Sequence, residues 1–281
     1  MKHDKASSTA YTVLQGLLFN TKNPDYQHLI TPEIETVGRQ ILAASAEGKK
    51  RLRQLDSKAY QFIAPLMQSL LMPGITLHYA LRKQFIEDAT RRAIEQGVTQ
   101  VVNLGAGFDT LAWRLHKTHQ QVNFIEIDHQ ATNRQKEKAL FNQTPNNLHL
   151  LAVDFSETDT YTALHSFEHF DAQRPTLFIC EGVLMYLDLV DIQRLFSALK
   201  QLTGSGTRFI FSCVEPMDSP LNNTGSLLKL YLKLKNEPLN WMLTHDKLKT
   251  FVAEQGYTLQ DMALTEDLRQ RYLQNVKQGT L

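Results

Sequence analysis

Val101-Val102-Asn103-Leu104-Gly105-Ala106-Gly107-Phe108-Asp109-Thr110 is the stretch whose reading decides the fold. Val101, Val102 and Leu104 form a short β-branched and apolar run, as expected of a strand buried on both faces. Gly105 and Gly107 follow directly, and glycine tolerates both a tight turn and a ligand close to the backbone. Phe108, Leu111, Ala112 and Leu115 then recur at helical spacing, with Asp109 and Thr110 in the first turn. Strand, glycine turn and helix stand in the order of a nucleotide-type cofactor site.

Working outward, residues 1–96 read as a helical cap. Helical spacing runs over Ala10 to Phe19, Pro32 to Ala46, Ser57 to Leu71 and Thr76 to Gln96, broken at Asn23-Pro24, Gly48 and Pro73-Gly74. The basic run from Lys49 to Lys58 reads as a solvated helix face, with an anionic substrate as the other reading. Downstream, Gln121 to Ile127, Leu148 to Val153, Thr176 to Glu181 and Thr207 to Val214 read as strands. The helical segments His129 to Asn142 and Asp188 to Leu202 lie between them. This alternation predicts an α/β fold, a Rossmann-like doubly wound and mainly parallel sheet over residues 97–281. Residues 216–238 interrupt it as a lid-like insertion. Gly256 to Leu264 reads as a further strand, and Thr265 to Leu281 is too polar to assign.

Composition narrows the partners. In 281 residues, 30 Lys and Arg face 29 Asp and Glu, so the overall charge carries no footprint for nucleic acid or an anionic membrane. A small-molecule partner is the expectation, and the oligomeric state is left open. The two cysteines, Cys180 and Cys213, lie in apolar runs and read as buried thiols. With no signal-type N-terminus and no apolar run near ~20 residues, the expected location is the cytoplasm.

In a doubly wound sheet, ligands collect at the carboxyl ends of the strands. Those ends carry Glu126 and Asp128, Asp154 with Phe155, Glu181, and Glu215. Gly105-Ala106-Gly107-Phe108-Asp109-Thr110 begins like a dinucleotide fingerprint, but Thr110 replaces the third glycine. Asp109 in the first helical turn would repel a pyrophosphate and accept from an ammonium. S-adenosyl-L-methionine has the ammonium and a ribose, and no phosphate. The ribose calls for an acidic acceptor about 20 residues past the glycines, and both Glu126 and Asp128 qualify. Asp154 and Phe155 suit the adenine. No metal-ligand spacing is evident.

Four segments, A-S-S-T-A from Ala6, V-N-L-G-A-G-F-D-T-L-A-W-R-L, F-I-E-I-D and P-T-L-F-I-C-E-G-V-L-M-Y-L, together resemble the leucine carboxyl methyltransferase family. The resemblance implies a class I S-adenosylmethionine-dependent O-methyltransferase. It implies that Arg82, Gly105, Asp128, Asp154, Phe155 and Glu181 contact the cofactor, with Arg82 meeting the cofactor's carboxylate and Glu181 accepting from the cofactor's ammonium. Gly107, Asp109 and Glu126 join the cofactor set from the residue reading, and Tyr186 is the candidate to touch the methyl acceptor. Thr9-Ala10 stands where the eukaryotic enzymes that methylate a phosphatase C-terminus carry a basic residue. The pattern is thus similar to bacterial members, with a carboxylate or hydroxyl of a small molecule as acceptor. The competing readings are a NAD-binding oxidoreductase and a noncatalytic S-adenosylmethionine-binding protein.

Overall fold

The computed structural model describes residues 5–141, 145–155, 157–203, 206–222 and 239–273. Five helices precede the sheet: α1 Ser8–Phe19, α2 Pro32–Ala43, α3 Ala46–Leu55, α4 Lys58–Leu71 and α5 Ile75–Glu95. The first four start on a hydroxyl side chain, Ser7, Thr31, Ser45 and Ser57, each accepting from a first-turn N–H that would otherwise be unpaired. Ser45 moves the break expected at Gly48, which lies inside α3. The helix expected over Pro32 to Ala46 ends at Ala43, because Ser45 Oγ accepts from Gly48 N at 3.0 Å and opens a new helix.

Five parallel strands follow: β1 Gln100–Leu104, β2 Asn123–Asp128, β3 Leu148–Ala152, β4 Thr176–Cys180 and β5 Arg208–Phe211. Their order is β3-β2-β1-β4-β5, so the winding reverses between β1 and β4. The helices α6 Leu111–Thr118, α7 Gln130–Leu140, α8 Thr160–His165 and α9 Leu189–Thr203 make the crossovers. Period-two alternation sends each strand into two cores. On one face Val101, Phe124, Leu177 and Ile179 pack with Ile86, Ala93 and Leu115. On the other, Val102, Ile125, Phe178 and Cys180 pack with Ile192, Phe196 and Leu199.

Two expectations near the C-terminus change. Gly256 to Leu264 is irregular backbone, not a strand. Tyr257, Leu259 and Met262 still pack on the second core, and the Tyr257 hydroxyl donates to Phe196 O at 3.0 Å, but no ladder forms. The polar tail beyond it contains a helix, α11 Thr265–Tyr272, after α10 His245–Glu254. Of the insertion expected at 216–238, residues 223–238 lie outside the described residues. Cys180 and Cys213 are free, and burial pushes the Cys180 thiol up to about 12.

Candidate functional site

The turn after β1 has the conformation its glycines permit. Gly105 has φ +68° and Gly107 φ +52°. A Cβ on Gly105 would stand 2.5 Å from Val183 Cγ2, so the turn is closed against the loop after β4. Gly105 N and Ala106 N both donate to Ile127 O, at 2.8 and 3.0 Å, which fixes the turn to the end of β2. The N-terminal A-S-S-T-A segment reaches the same place. Ser7 N donates to Thr132 Oγ1 on α7 at 3.3 Å, and Ala10 comes within reach of a Cβ built on Gly107.

The two acidic residues at the tip of β2 have different environments. Asp128 Oδ2 accepts from Gly107 N at 2.7 Å and Oδ1 from His129 N at 2.8 Å. The Thr132 hydroxyl also hydrogen-bonds the carboxylate, so three donors occupy its roughly four lone-pair sites and one accepting site is left. Burial raises the Asp128 carboxyl above its ordinary value, and the two N–H donors, the Thr132 hydroxyl and the Lys136 charge oppose that. Glu126 is 1% exposed and forms an ion pair at 2.6 Å with Lys136 of α7. Burial likewise raises Glu126, with Lys136 opposing. Glu126 is therefore a buried charge with a protein partner, whereas Asp128 sits at the glycine turn.

At the switch point, helix α5 meets the tip of β4. Arg82 Nε donates to Glu181 Oε1 at 2.8 Å, and Lys83 Nζ donates to Glu181 Oε2 at 2.7 Å and to Asp109 Oδ2 at 2.8 Å. Two cations and two carboxylates thus form one cluster, with side chains 6 to 17% exposed. Burial by itself would raise the Glu181 and Asp109 carboxyls. Lys83 with Lys136 and the Leu111 N–H at Asp109, and Lys83 with Arg82 at Glu181, together outweigh it and hold both below the usual carboxylate range. Burial would lower Lys83, and the two carboxylates raise it instead. His78, one turn before Arg82, is pushed down to about 4 by burial and then by the Arg82 charge. Asp109 has a second task, since its Oδ1 accepts from Leu111 N at 3.0 Å and closes the start of α6.

The remaining strand tips complete the edge. Asp154 follows β3, with Oδ2 4.0 Å from His129 Nε2, and Phe155 beside it is 43% exposed. Tyr186 ends the 3-10 turn Leu184–Tyr186 after β4, and its carbonyl accepts from Asn240 Nδ2 at 2.9 Å. Residues 239–245 run from there to the tip of β5, where Glu215 Oε1 accepts from His245 N at 2.8 Å and lies 2.9 Å from His245 Nδ1.

The structure brings Arg82, Asp109 and Glu181 into one cluster, and Gly105, Gly107 and Asp128 into one turn. Lys83, Lys136 and His78 went unnoticed in the sequence. The Arg82-Lys83 pair inside an otherwise uncharged stretch, residues 59–86, was the one available signal for Lys83. Lys136 offered none. Among the described residues no group of three His, Cys, Asp or Glu side chains could hold a metal.

A parallel sheet whose winding reverses at a glycine turn, with acidic strand tips, defines a Rossmann-like architecture. The fold is similar to that of a structure from Thermobifida fusca described as a candidate methyltransferase, with a TM-score of 0.52 and 16% identity over 75% of this chain and 77% of that one. A DUF574 family structure from Streptomyces avermitilis gives 0.55 and 14% identity over 90% and 82%. The leucine carboxyl methyltransferase model matches residues 34–200, and the chain belongs to that family. A relative from Mycobacterium bovis, described as a candidate S-adenosyl-L-methionine-dependent methyltransferase, is 32% identical over 72% of this chain. One from Bacillus subtilis with the same description is 24% identical over 70%. The chain spans 56% of the mycobacterial relative's length and 66% of the other's.

Proposed function

We propose that this chain transfers the methyl group of S-adenosyl-L-methionine to an oxygen of a small molecule, a carboxylate or a hydroxyl. The observation that carries the reading is the bond from Gly107 N to Asp128 Oδ2, which joins the glycine turn to an acidic side chain with accepting capacity left. Asp128, rather than Glu126, would hold the ribose. Glu181 would accept from the amino group and Arg82 would face the carboxylate, while Asp154 and Phe155 would meet the adenine. When bound, the cofactor supplies an electrophilic methyl on a sulfonium.

The residues present fit this cofactor better than a dinucleotide. A pyrophosphate would use the free N–H groups at the start of α6. Asp109 Oδ1 already accepts from one of them, Leu111 N, and adds negative charge there.

The protein's part in such a transfer is alignment, and positioning supplies much of the rate. Tyr186 lies on the loop after β4 where an acceptor would sit. A carboxylate acceptor needs no base at neutral pH. A hydroxyl does, and His245 held by Glu215 supplies a proton acceptor on the same edge.

Calorimetry with S-adenosylmethionine, S-adenosylhomocysteine and NAD tests the cofactor. Binding of the first two and not the third is expected, and binding of NAD alone would overturn the reading. Labelled methyl transfer into metabolite extracts tests turnover, where cofactor binding without any labelled product would leave a binding protein.

A further inference from the structure

Helix α4 is amphipathic in the inverted sense. Its inward side carries Tyr60, Gln61, Ala64 and Gln68. The Gln61 side chain donates to Leu55 O at 2.8 Å, Gln68 Oε1 accepts from Thr76 Oγ1 at 3.1 Å, and Tyr60 meets Phe19 edge-on. Its outward side carries Phe62, Ile63, Leu66, Met67 and Leu70, exposed by 81, 51, 61, 48 and 54%. Apolar patches of this kind on a water-facing helix mark a docking surface.

The position of α4 gives the patch a direction. Helix α5 ends at Glu95, just before β1 begins, so its other end, joined to α4 through Met72-Pro73-Gly74, lies at the carboxyl edge of the sheet. The contact from Arg82 to Glu181 confirms it. The other large apolar side chains exposed among the described residues are Phe155, Leu189, Val190 and Leu221. These follow β3, β4 and β5, so they too stand at that edge. The apolar surface is thus gathered around the mouth of the candidate site.

Charge identifies the occupant. Residues 46–71 hold Lys49, Lys50, Arg51, Arg53 and Lys58 against Glu47 and Asp56, and the stretch from 59 to 71 has no charged residue. Glu47 pairs with Arg51 and Asp56 with Arg39 and Lys22, which leaves Lys49, Lys50, Arg53 and Lys58 exposed with no acidic partner among the described residues. Lys49 and Arg53 also line a cleft of about 480 Å³ with Ala46 and Leu52. Exposed Phe and Leu on α4, with unpaired lysine and arginine on the adjoining α3, together give a helical pair the composition that suits the interface of an anionic bilayer. We infer that α3 and α4 dock this protein on an anionic lipid surface, with the mouth of the site toward the lipid. The whole-chain balance of charge, which predicts no membrane partner, conceals this local excess. Among the described residues no helix is long and apolar enough to cross a membrane, and docking requires none.

Vesicle co-sedimentation tests the inference without cofactor or turnover, so its outcome is independent of the proposed reaction. Wild-type protein is expected to pellet with phosphatidylcholine vesicles containing phosphatidylglycerol, to stay in solution with phosphatidylcholine alone, and to be released by high salt. Replacing Lys49, Lys50 and Arg53 together by Gln is expected to weaken partition on the order of a hundredfold. Replacing Phe62, Leu66 and Leu70 together by Ser should abolish it, with unfolding midpoints showing that both variants fold. Wild-type protein that remains in solution with the anionic vesicles overturns the inference, as does unchanged binding by the serine variant. A concentration-dependent dimer lost in the serine variant, without vesicle binding, overturns it in favour of a second copy of the chain.

Discussion

Lys83 Nζ stands 2.7 Å from Glu181 Oε2, tying the helix before the sheet to the tip of the strand where the winding reverses. The two residues are 98 positions apart in the chain. With Arg82 and Asp109 they make a buried, charge-balanced cluster, and removing one member strands its partners.

Lys83→Met is expected to destabilise the protein by ~3 to 5 kcal/mol at neutral pH, the usual cost of breaking a buried pair from one side. Adding Asp109→Asn should restore most of it, because Arg82 and Glu181 then still balance each other. The pH dependence has a definite sign. In the wild type both carboxyls lie below their ordinary range, so their contribution is present above that range and is lost on acidification. In Lys83→Met the stranded carboxyls take up protons readily, and the gap between the two proteins narrows as pH falls. Urea unfolding across the acid range checks this, and a gap that widens instead would remove Lys83 from its assigned role.

Asp128→Ala should weaken S-adenosylmethionine binding by about 1 to 3 kcal/mol, since it removes the acceptor and leaves Gly107 N without its partner. Glu126→Gln should lower the unfolding midpoint, because Lys136 loses its counter-charge, and leave the affinity of the folded protein unchanged. Calorimetry on both variants ranks the two residues, and the reverse order would transfer the ribose to Glu126.

Gly105→Ala meets two separate penalties. The positive φ costs a side chain about 1 to 2 kcal/mol, and the new Cβ would stand 2.5 Å from Val183 Cγ2. Gly105→Ala combined with Val183→Ala removes the second penalty and keeps the first, so chemical denaturation should show partial recovery. Complete recovery would mean that the backbone there carries no strain.

His78 is held neutral, with its pKa lowered to about 4 from 6.5. Between those values the unfolded chain binds a proton that the folded one does not, so stability falls as pH drops through that window. A shift of that size corresponds to about 3 kcal/mol. His78→Asn should flatten the slope between pH 6.5 and 4. Equal slopes for wild type and variant, measured by thermal melts in that window, would exclude the effect.

The sheet was legible because Val101-Val102, Phe124-Ile125 and Phe178-Ile179 are apolar on both faces, a pattern that only a covered parallel strand requires. The acidic strand tips were legible for the same reason, as charge appears just where the apolar runs stop. Lys83 and Lys136 were not, because a lysine on a helix looks alike in sequence whether it faces water or a carboxylate brought in from elsewhere. The division expected at Gly48 falls at Ser45 instead, because Ser45 caps the new helix and Gly48 lies within its first turn. Leu259 and Met262 imitate a strand because they contact the core, and contact with the core does not require a ladder.

The cluster of Arg82, Lys83, Asp109 and Glu181 has equal numbers of positive and negative members. A zwitterionic guest can therefore enter by exchange, its amine taking a carboxylate from a lysine or arginine while its own carboxylate takes the cation released. The cluster itself need hold no surplus charge at any stage of arrival or departure, and the affinity for the amino-acid end of such a guest should depend only weakly on ionic strength.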